Sequence, residues 1–411
     1  LSANDSAQRG AGSNRAGGKP VILTFTGNYL PGYKAGGILR TIVNTVDYLG
    51  DEFEFLIVTQ DRDLKECTPY PDIVVKQWQP VGGAQVYYLP PEECTIKGLA
   101  DLVAGTPHDI LYLNSFFDSV FTIKLLLARR LGWLPQSPLI LAPRGEHVHG
   151  PLRLKYPKKI TYIRLTRLLG FYHNIVWQAS SEYEAADIAR VMKVAPEAIH
   201  VALDLPSKNS PEAAMVESYR PGGAAGVRLL FLSRLTREKN LDYALMVLAK
   251  VSAPVVFDIY GPAEDATYWK ECRELIGRLP ANVTVNYHGE VRPDQVLPVM
   301  GRYDLFFFPT TGENYGHVIA EALTAGTPVL ISTGTPWRNL EAEGLGWDLD
   351  LAQMDAFAAV IDKLALTSRE ERCQQRALVK ARIMTRLLDP AVLAANRQLF
   401  RRQLAAGINQ R

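Results

Sequence analysis

Cysteine is scarce in this chain. Cys67, Cys94, Cys272 and Cys373 are its only four among 411 residues, and no two form a Cys-x-x-Cys pair. Neither a zinc site nor a dithiol redox motif is therefore written in the sequence, and such sparse use fits a reducing cytoplasm. Net charge is nearly absent too. The 45 Lys and Arg against 43 Asp and Glu leave a formal +2, so no global field favours a nucleic-acid partner and any anion site has to be local. No apolar run reaches the roughly 18 residues of a transmembrane helix, and the chain does not open with the charged-then-apolar order of a signal peptide. Residues 1–18 are rich in Ser, Asn, Gly and Arg and read as a mobile tail, with no initial Met, as in a trimmed or engineered start.

The remaining composition is that of a globular chain, 47% hydrophobic and 21% charged, which rules out collagen, a coiled coil and a chain disordered throughout. Its length asks for two domains of roughly 190 residues each. From Lys19 onward, short apolar runs alternate with helical periods. PVILTFTG (20–27), FEFLIVT (53–59), AQVYYL (84–89), DILYLN (109–114), PLILAP (138–143) and NIVWQASS (174–181) suit parallel strands buried on both faces. Residues 206–226 break the rhythm with Pro206, Pro211, Pro221 and a Gly222-Gly223 pair and read as a linker. Alternation then resumes with VRLLFLS (227–233), PVVFDIYG (254–261), VTVNYHG (283–289), DLFFFPT (304–310) and TPVLIS (327–332). The division predicted is a first domain over 19–205, a second over 227–385, and a final helix over 386–411 crossing back to the first. Two such α/β domains place a cleft between the carboxyl ends of their sheets, where open α/β folds bind ligands.

The densest chemistry lies in PTTGENYGHVIAEALTAGTPVLIS (309–332). A strand end leads through a loop into a helix that opens near Gly316 and closes at Gly326. Asn314 is the expected N-cap, and the amides of Tyr315, Gly316, His317 and Val318 would form an anion site at the positive end of the helix dipole. Glu313 precedes the helix and Glu321 follows eight positions later. The pair suits hydrogen bonding to two hydroxylated rings of one ligand, while each acid alone reads equally well as a dipole partner or a solvated helix residue. In FLSRLTREKNLDYAL (231–245), Arg234 and Lys239 stand between a strand end and a helix, where both are able to reach one anion. Alone, such a basic pair is more often a solvated surface feature.

Together these elements resemble the retaining glycosyltransferases of the GT-B fold, family 4. That family carries a G/S-R-L-x-x-x-K element, here Ser233-Arg234-Leu235 with Lys239, and an E-x7-E element, here Glu313 to Glu321 with Gly316 and Gly326-Thr327-Pro328. The resemblance covers roughly residues 20–385 and implies two Rossmann-like βαβ domains facing each other across a cleft. It assigns Arg234 and Lys239 to the donor diphosphate, Glu321 to the ribose, Glu313 to the transferred sugar, and the amides after Asn314 to the distal phosphate. Tyr260-Gly261-Pro262 and Gly289-Glu290-Val291 correspond to the loops around the base. No metal or other cofactor is called for; the donor is a nucleotide diphosphate sugar of UDP or GDP type, and the acceptor a saccharide or lipid-linked saccharide, as in bacterial surface polysaccharide assembly.

The N-terminal half adds Gly36 and Gly37 in YKAGG (33–37), which resembles the family's glycine loop near donor phosphates and acceptor. It also adds PRGEHVHGP (143–151), from which Arg144, Glu146 and His147 are candidate catalytic groups. Other readings remain. Asp61-Arg62-Asp63 imitates a D-x-D metal site, but the cationic pair already supplies the neutralisation such an ion would give. Asp348-Leu349-Asp350 reads as a surface turn. The glycines of TGNYLPGYKAGG have the wrong spacing for a dinucleotide fingerprint. A sugar-phosphate synthase, a phosphorylase, or a binding protein without turnover are the alternatives. Between Pro151 and Tyr172 there are six Lys and Arg and no acid. That stretch reads either as a solvated helix packed on the sheet or as a peripheral contact with the anionic inner face of a membrane.

Overall fold

The computed structural model describes residues 18–146, 156–208 and 226–409. The tail before residue 18, most of the linker and His147 lie outside the described residues. The first sheet contains β1 (Val21–Phe25), β2 (Glu54–Gln60), β3 (Trp78–Val81), β4 (Ala84–Leu89), β5 (Ile110–Asn114), β6 (Leu139–Ala142), β7 (Ile175–Ala179) and β8 (Ile199–Val201). The second contains β9 (Val227–Leu232), β10 (Val255–Tyr260), β11 (Val283–Tyr287), β12 (Leu305–Phe308), β13 (Val329–Ser332) and β14 (Gly346–Leu349). Helices α1 (Gly37–Leu49), α2 (Ile96–Gly105), α3 (Ile123–Arg130), α4 (Tyr156–Leu168) and α5 (Glu182–Met192) accompany the first sheet. Helices α6 (Leu241–Leu248), α7 (Ala266–Ile276), α8 (Val296–Met300), α9 (His317–Thr324), α10 (Met354–Ala365) and α11 (Arg369–Leu387) accompany the second, and α12 (Pro390–Asn409) ends the described chain.

Every residue of β1, β5, β6, β12 and β13 is buried. Helices cover both faces of these strands, which is why they read as unbroken apolar runs rather than as alternating ones. The second sheet runs β11-β10-β9-β12-β13-β14, all parallel, so strand order reverses between β9 and β12. The first runs β3-β4-β2-β1-β5-β6-β7-β8 and reverses between β1 and β5. At such a reversal the loops leaving the two adjacent strands diverge and leave a crevice at their carboxyl ends. The loops after β9 and β12 are those that carry Arg234, Lys239 and Glu313.

Three strands escaped the sequence reading. β3 contains Pro80 and pairs antiparallel with β4 alone, an edge position where a missing N–H costs little. β8 is only three residues long. β14 reads GWDL, so Asp348 and Leu349 belong to a strand rather than a turn; the Asp348 carboxylate accepts from the amides of Asn339 and Leu340. Helix α12 packs on the first sheet, with Leu399 and Phe400 buried in its core cluster. The Phe400 ring lies 5.4 Å from Phe53 and 5.6 Å from Tyr112. Arg397 and Arg401 both pair with Glu52, and Asn396 donates to the Leu203 carbonyl at 2.8 Å.

The candidate active site in the interdomain cleft

Close approach of backbones sets the floor of the site. Gly261, at φ 130°, lies so near the preceding βα loop that a Cβ there would come within 1.8 Å of the Ser233 carbonyl oxygen. Only glycine fits, and Ser233 and Leu235 donate to the carbonyls of Tyr260 and Pro262 at 3.0 and 2.9 Å. After Leu235 the chain makes a short turn over Arg237–Lys239 and enters α6 through Asn240, at φ 62°. Asn240 donates to the Pro309 carbonyl at 2.8 Å, and the Thr311 amide to the Glu238 carbonyl at 2.9 Å. These bonds bind the loop after β9 to the loop after β12. They bring the Lys239 ammonium within 2.6 Å of the Glu313 carboxylate, both side chains being 13% exposed.

Gly316 is the N-cap of α9, in the left-handed conformation at φ 80°. This corrects the expectation for Asn314, whose side chain instead donates to Ser180 Oγ of the other domain at 3.0 Å. A glycine cap offers no side chain to the first turn. Among the described residues no acceptor meets the amides of Tyr315, Gly316, His317 or Val318. Open amides at the positive end of a helix dipole are a place where an anion is favoured. Four residues further, on the same face as His317, Glu321 pairs with Arg40 of α1.

The cleft between the two sheets has a volume of about 540 Å³. It brings together Gly36, Gly37, Arg234, Lys239, Gly261, Val291, Glu313, Asn314, Tyr315, Gly316, His317, Val318 and Glu321. Gly36, at φ 66°, has no atom within 4 Å of where a Cβ would stand, and a Cβ on Gly37 would lie 3.7 Å from the His317 ring. The starts of α1 and α9 thus face each other across the cleft, and both present helix N-termini to it. Arg234 is the most exposed cleft cation of the motif at 41%, with Glu264 at 3.7 Å; Glu264 also receives Lys65 of the first domain at 2.8 Å.

Two N-terminal candidates are placed differently from expectation. The Glu146 carboxylate is not among the cleft's lining; it accepts from Ser115 Oγ and the amides of Phe116 and Phe117 at 2.9, 2.5 and 2.9 Å. Burial pushes its carboxyl pKa up, opposed by those amides. It ties together the loops after β5 and β6. Arg144 does border the cleft, at φ 58°, but its guanidinium is spent inside the first domain. It donates to Asn114 Oδ1, Tyr112 Oη and, at 2.9 Å, Asp204 Oδ1. Asp63, the imitation metal ligand, receives the amides of Tyr33, Lys34 and Leu64 and so shapes the approach to the glycine loop, while Asp61 pairs with Arg62.

Sequence reasoning missed Arg40, Thr41, Ser180, Glu184 and Asp204. Asp204 is buried, receives Thr41 Oγ1 at 2.7 Å and lies 3.6 Å from His317 Nε2. Its signal was there to be seen: an acid inside the apolar run VALDLP. Ser181-Glu182-Tyr183-Glu184 reads as an ordinary capping box, and Ser181 does accept from the Glu184 amide at 3.1 Å. The Glu184 carboxylate, however, accepts from the amides of Ser180 and Gly145 at 2.7 and 2.5 Å. Burial raises its pKa to about 7 against those bonds.

Comparison with known proteins points the same way as this geometry. Residues 226–378 match the family model described as glycosyl transferases group 1. A 41.2 kDa protein of the cps region of Klebsiella pneumoniae is 23% identical over 281 residues, 67% of this chain and 75% of that protein. Among solved structures, Anabaena Alr3699/HepE in complex with UDP and glucose superposes with a TM-score of 0.63 at 17% identity, over 93% of this chain and 98% of that one. The sucrose-phosphate synthase of Thermosynechococcus elongatus gives 0.66 at 15% identity, over 94% and 100%. The chain has the GT-B fold, two Rossmann-like domains facing each other across a cleft, and its second domain is similar in sequence to the glycosyl transferases of group 1.

Proposed function

We propose that this protein is a retaining, metal-independent glycosyltransferase that moves a hexose or related sugar from a UDP- or GDP-type donor to a hydroxyl acceptor. The observation that carries the reading is the convergence of Arg234, Lys239, Glu313, Glu321 and the open amides of α9 on one cleft. Transfer breaks the bond between the sugar's anomeric carbon and a diphosphate oxygen, which leaves negative charge on the diphosphate. Arg234, Lys239 and the α9 amides are placed to stabilise that charge as it develops. The 2.6 Å Lys239–Glu313 pair sets a cation for the departing phosphate beside a carboxylate for the sugar hydroxyls. The acceptor oxygen bonds to the same face of the anomeric carbon and its proton passes to the departing phosphate oxygen. No protein nucleophile is assigned. Two cations and two helix N-termini supply the neutralisation that a divalent ion would otherwise provide.

The setting we propose is bacterial surface polysaccharide assembly, supported by the cps-region relative. The place of action is the cytoplasmic face of the membrane. No helix among the described residues is long and apolar enough to cross a membrane. Within residues 151–172, Leu165, Leu168 and Leu169 are exposed beside Arg164 and Arg167, which supports peripheral contact with an anionic leaflet. Incubation with UDP-glucose and other nucleotide sugars, scored by UDP or GDP release and by the anomeric configuration of the product, tests the function. Retention with rates unchanged by a chelator is expected. Inversion, or activity abolished by chelator and restored by manganese, would overturn the mechanism.

A further inference from the structure

The first turn of α9 has little of its own to hold it. Its cap is a glycine without a side chain, and the helix is only eight residues long, a length that is marginal in isolation. Both ends of the loop that enters it are held from the other domain. Before the turn, Asn314 Nδ2 donates to Ser180 Oγ, and Gly145 packs so closely that a Cβ would come within 2.7 Å of Asn314 Cβ. At the turn itself, His317 Nε2 lies 2.9 Å from Thr41 Oγ1 of α1, and its ring meets that of Tyr315 in a T-shaped contact, 4.8 Å between centroids.

The chain of bonds behind Thr41 gives this contact a direction. Burial opposes a charge on Asp204, but Arg144 at 2.9 Å, the nearby His317 ring and the Thr41 hydroxyl together outweigh it and hold the carboxyl below its ordinary pKa. Thr41 Oγ1 has two acceptors in reach, the Gly37 carbonyl at 3.0 Å and the ionised Asp204 carboxylate at 2.7 Å, and its only proton goes to the nearer, charged one. Thr41 Oγ1 is then left as an acceptor, and His317 presents Nε2–H to it. The ring's tautomer and orientation are fixed by that hydroxyl and by the carboxylate behind it, 3.6 Å from Nε2, the way a second partner fixes an imidazole elsewhere. Arg144, held by Asn114 and Tyr112, in turn fixes the carboxylate.

We propose that Asp204 and Thr41 are positioning residues that hold His317, and through it the first turn of α9, in the geometry that receives the donor's diphosphate. The donor site of the second domain is then completed by side chains of the first. This rests on the diphosphate reading of the cleft.

The test is a calorimetric titration of the full chain with UDP and with GDP, alongside kcat/KM for the sugar donor. Thr41→Val keeps the shape and removes the hydroxyl. It should weaken nucleoside diphosphate binding about tenfold, as loss of a hydrogen bond within a charged network does, and lower kcat/KM by a like factor. Thr41→Ser should restore both to within about twofold, which a purely steric role would not do. In a His317→Leu background, Thr41→Val should change binding no further, because the coupled pair is already broken. Asp204→Asn should act as Thr41→Val does; if that variant fails to fold, the Thr41 series still decides. Wild-type binding by Thr41→Val, or additive losses in the double variant, would overturn the proposal alone. If the wild-type chain binds no nucleoside diphosphate, the reading of the cleft falls and this proposal with it.

Discussion

Replacing Lys239 by Met keeps most of the side chain's length and removes only the ammonium. The magnitude follows from where that ammonium stands. It is 13% exposed, 2.6 Å from Glu313 and 5.8 Å from the centre of the Phe308 ring, a partly dry position in which a charge acts more strongly than in water. Removing one preorganised donor from a site of developing negative charge costs about 3 kcal/mol in the transition state, or on the order of 100- to 1000-fold in kcat. Arg234, 41% exposed, stays behind and keeps the residual rate above background. Stability falls less. Glu313 loses a partner but still receives Thr310 Oγ1 at 3.2 Å and keeps some contact with water. The folding cost should therefore lie between that of a surface pair and a buried one, about 1–3 kcal/mol. Initial rates of UDP or GDP release from the sugar donor, with Tm recorded for the same preparations, separate the two effects. A kcat within threefold of wild type in a folded Lys239→Met variant would refute the placement of the ammonium on the leaving phosphate.

Glu321→Ala should mainly weaken donor binding, by about tenfold in calorimetry, because it removes the acceptor proposed for the ribose hydroxyls and frees Arg40; unchanged affinity would contradict the ribose assignment. Gly261→Ala drives a Cβ into the Ser233 carbonyl at a φ of 130°, so the loops after β9 and β10 must part, with a stability loss of 2 kcal/mol or more, on the order seen for strained backbone sites, in urea unfolding. Glu184 carries a pH signature. Its folded pKa is raised to about 7 from 4.5, so the folded form binds its proton more tightly than the unfolded one. The stability this gives is full below about pH 4.5 and is lost as pH rises through 7, up to about 3 kcal/mol in all. Glu184→Gln should flatten the dependence of Tm on pH between those limits, and an unaltered pH profile would remove the assignment.

The parts of the site that were legible in the sequence are those made by a single loop. Buried strands β9 and β12 read as apolar runs, and the residues just beyond them, Arg234, Lys239, Glu313 and Glu321, fall in the cleft because a strand end and a helix start fix their direction. What stayed hidden depends on two loops meeting. Arg144 and Glu146 are two residues apart in one loop, yet positive φ at Arg144 and Gly145 turns the chain so that one side chain faces Asp204 and the other the amides of Phe116 and Phe117. Spacing cannot foretell that. Asp204 belongs to the same class, since its partners Thr41, Arg144 and His317 come from three distant segments. The cap of α9 was misplaced by local preference. Asn is the stronger N-cap in isolation, but Asn314 is drawn to Ser180 across the cleft and the role falls to Gly316.

Nucleoside diphosphate binding tests the account most directly. Thermal unfolding of the wild-type chain should be followed with UDP, GDP, ADP and dTDP, each beside a variant carrying Arg234→Ala and Lys239→Ala. A ligand at 100 times its Kd stabilises the folded chain by about 2.7 kcal/mol. One nucleotide is therefore predicted to raise Tm by on the order of 5 °C in the wild type and to leave the double variant unmoved. Stabilisation by none of the four, or equal stabilisation of wild type and double variant, would contradict the assignment of this cleft to a nucleotide-sugar donor.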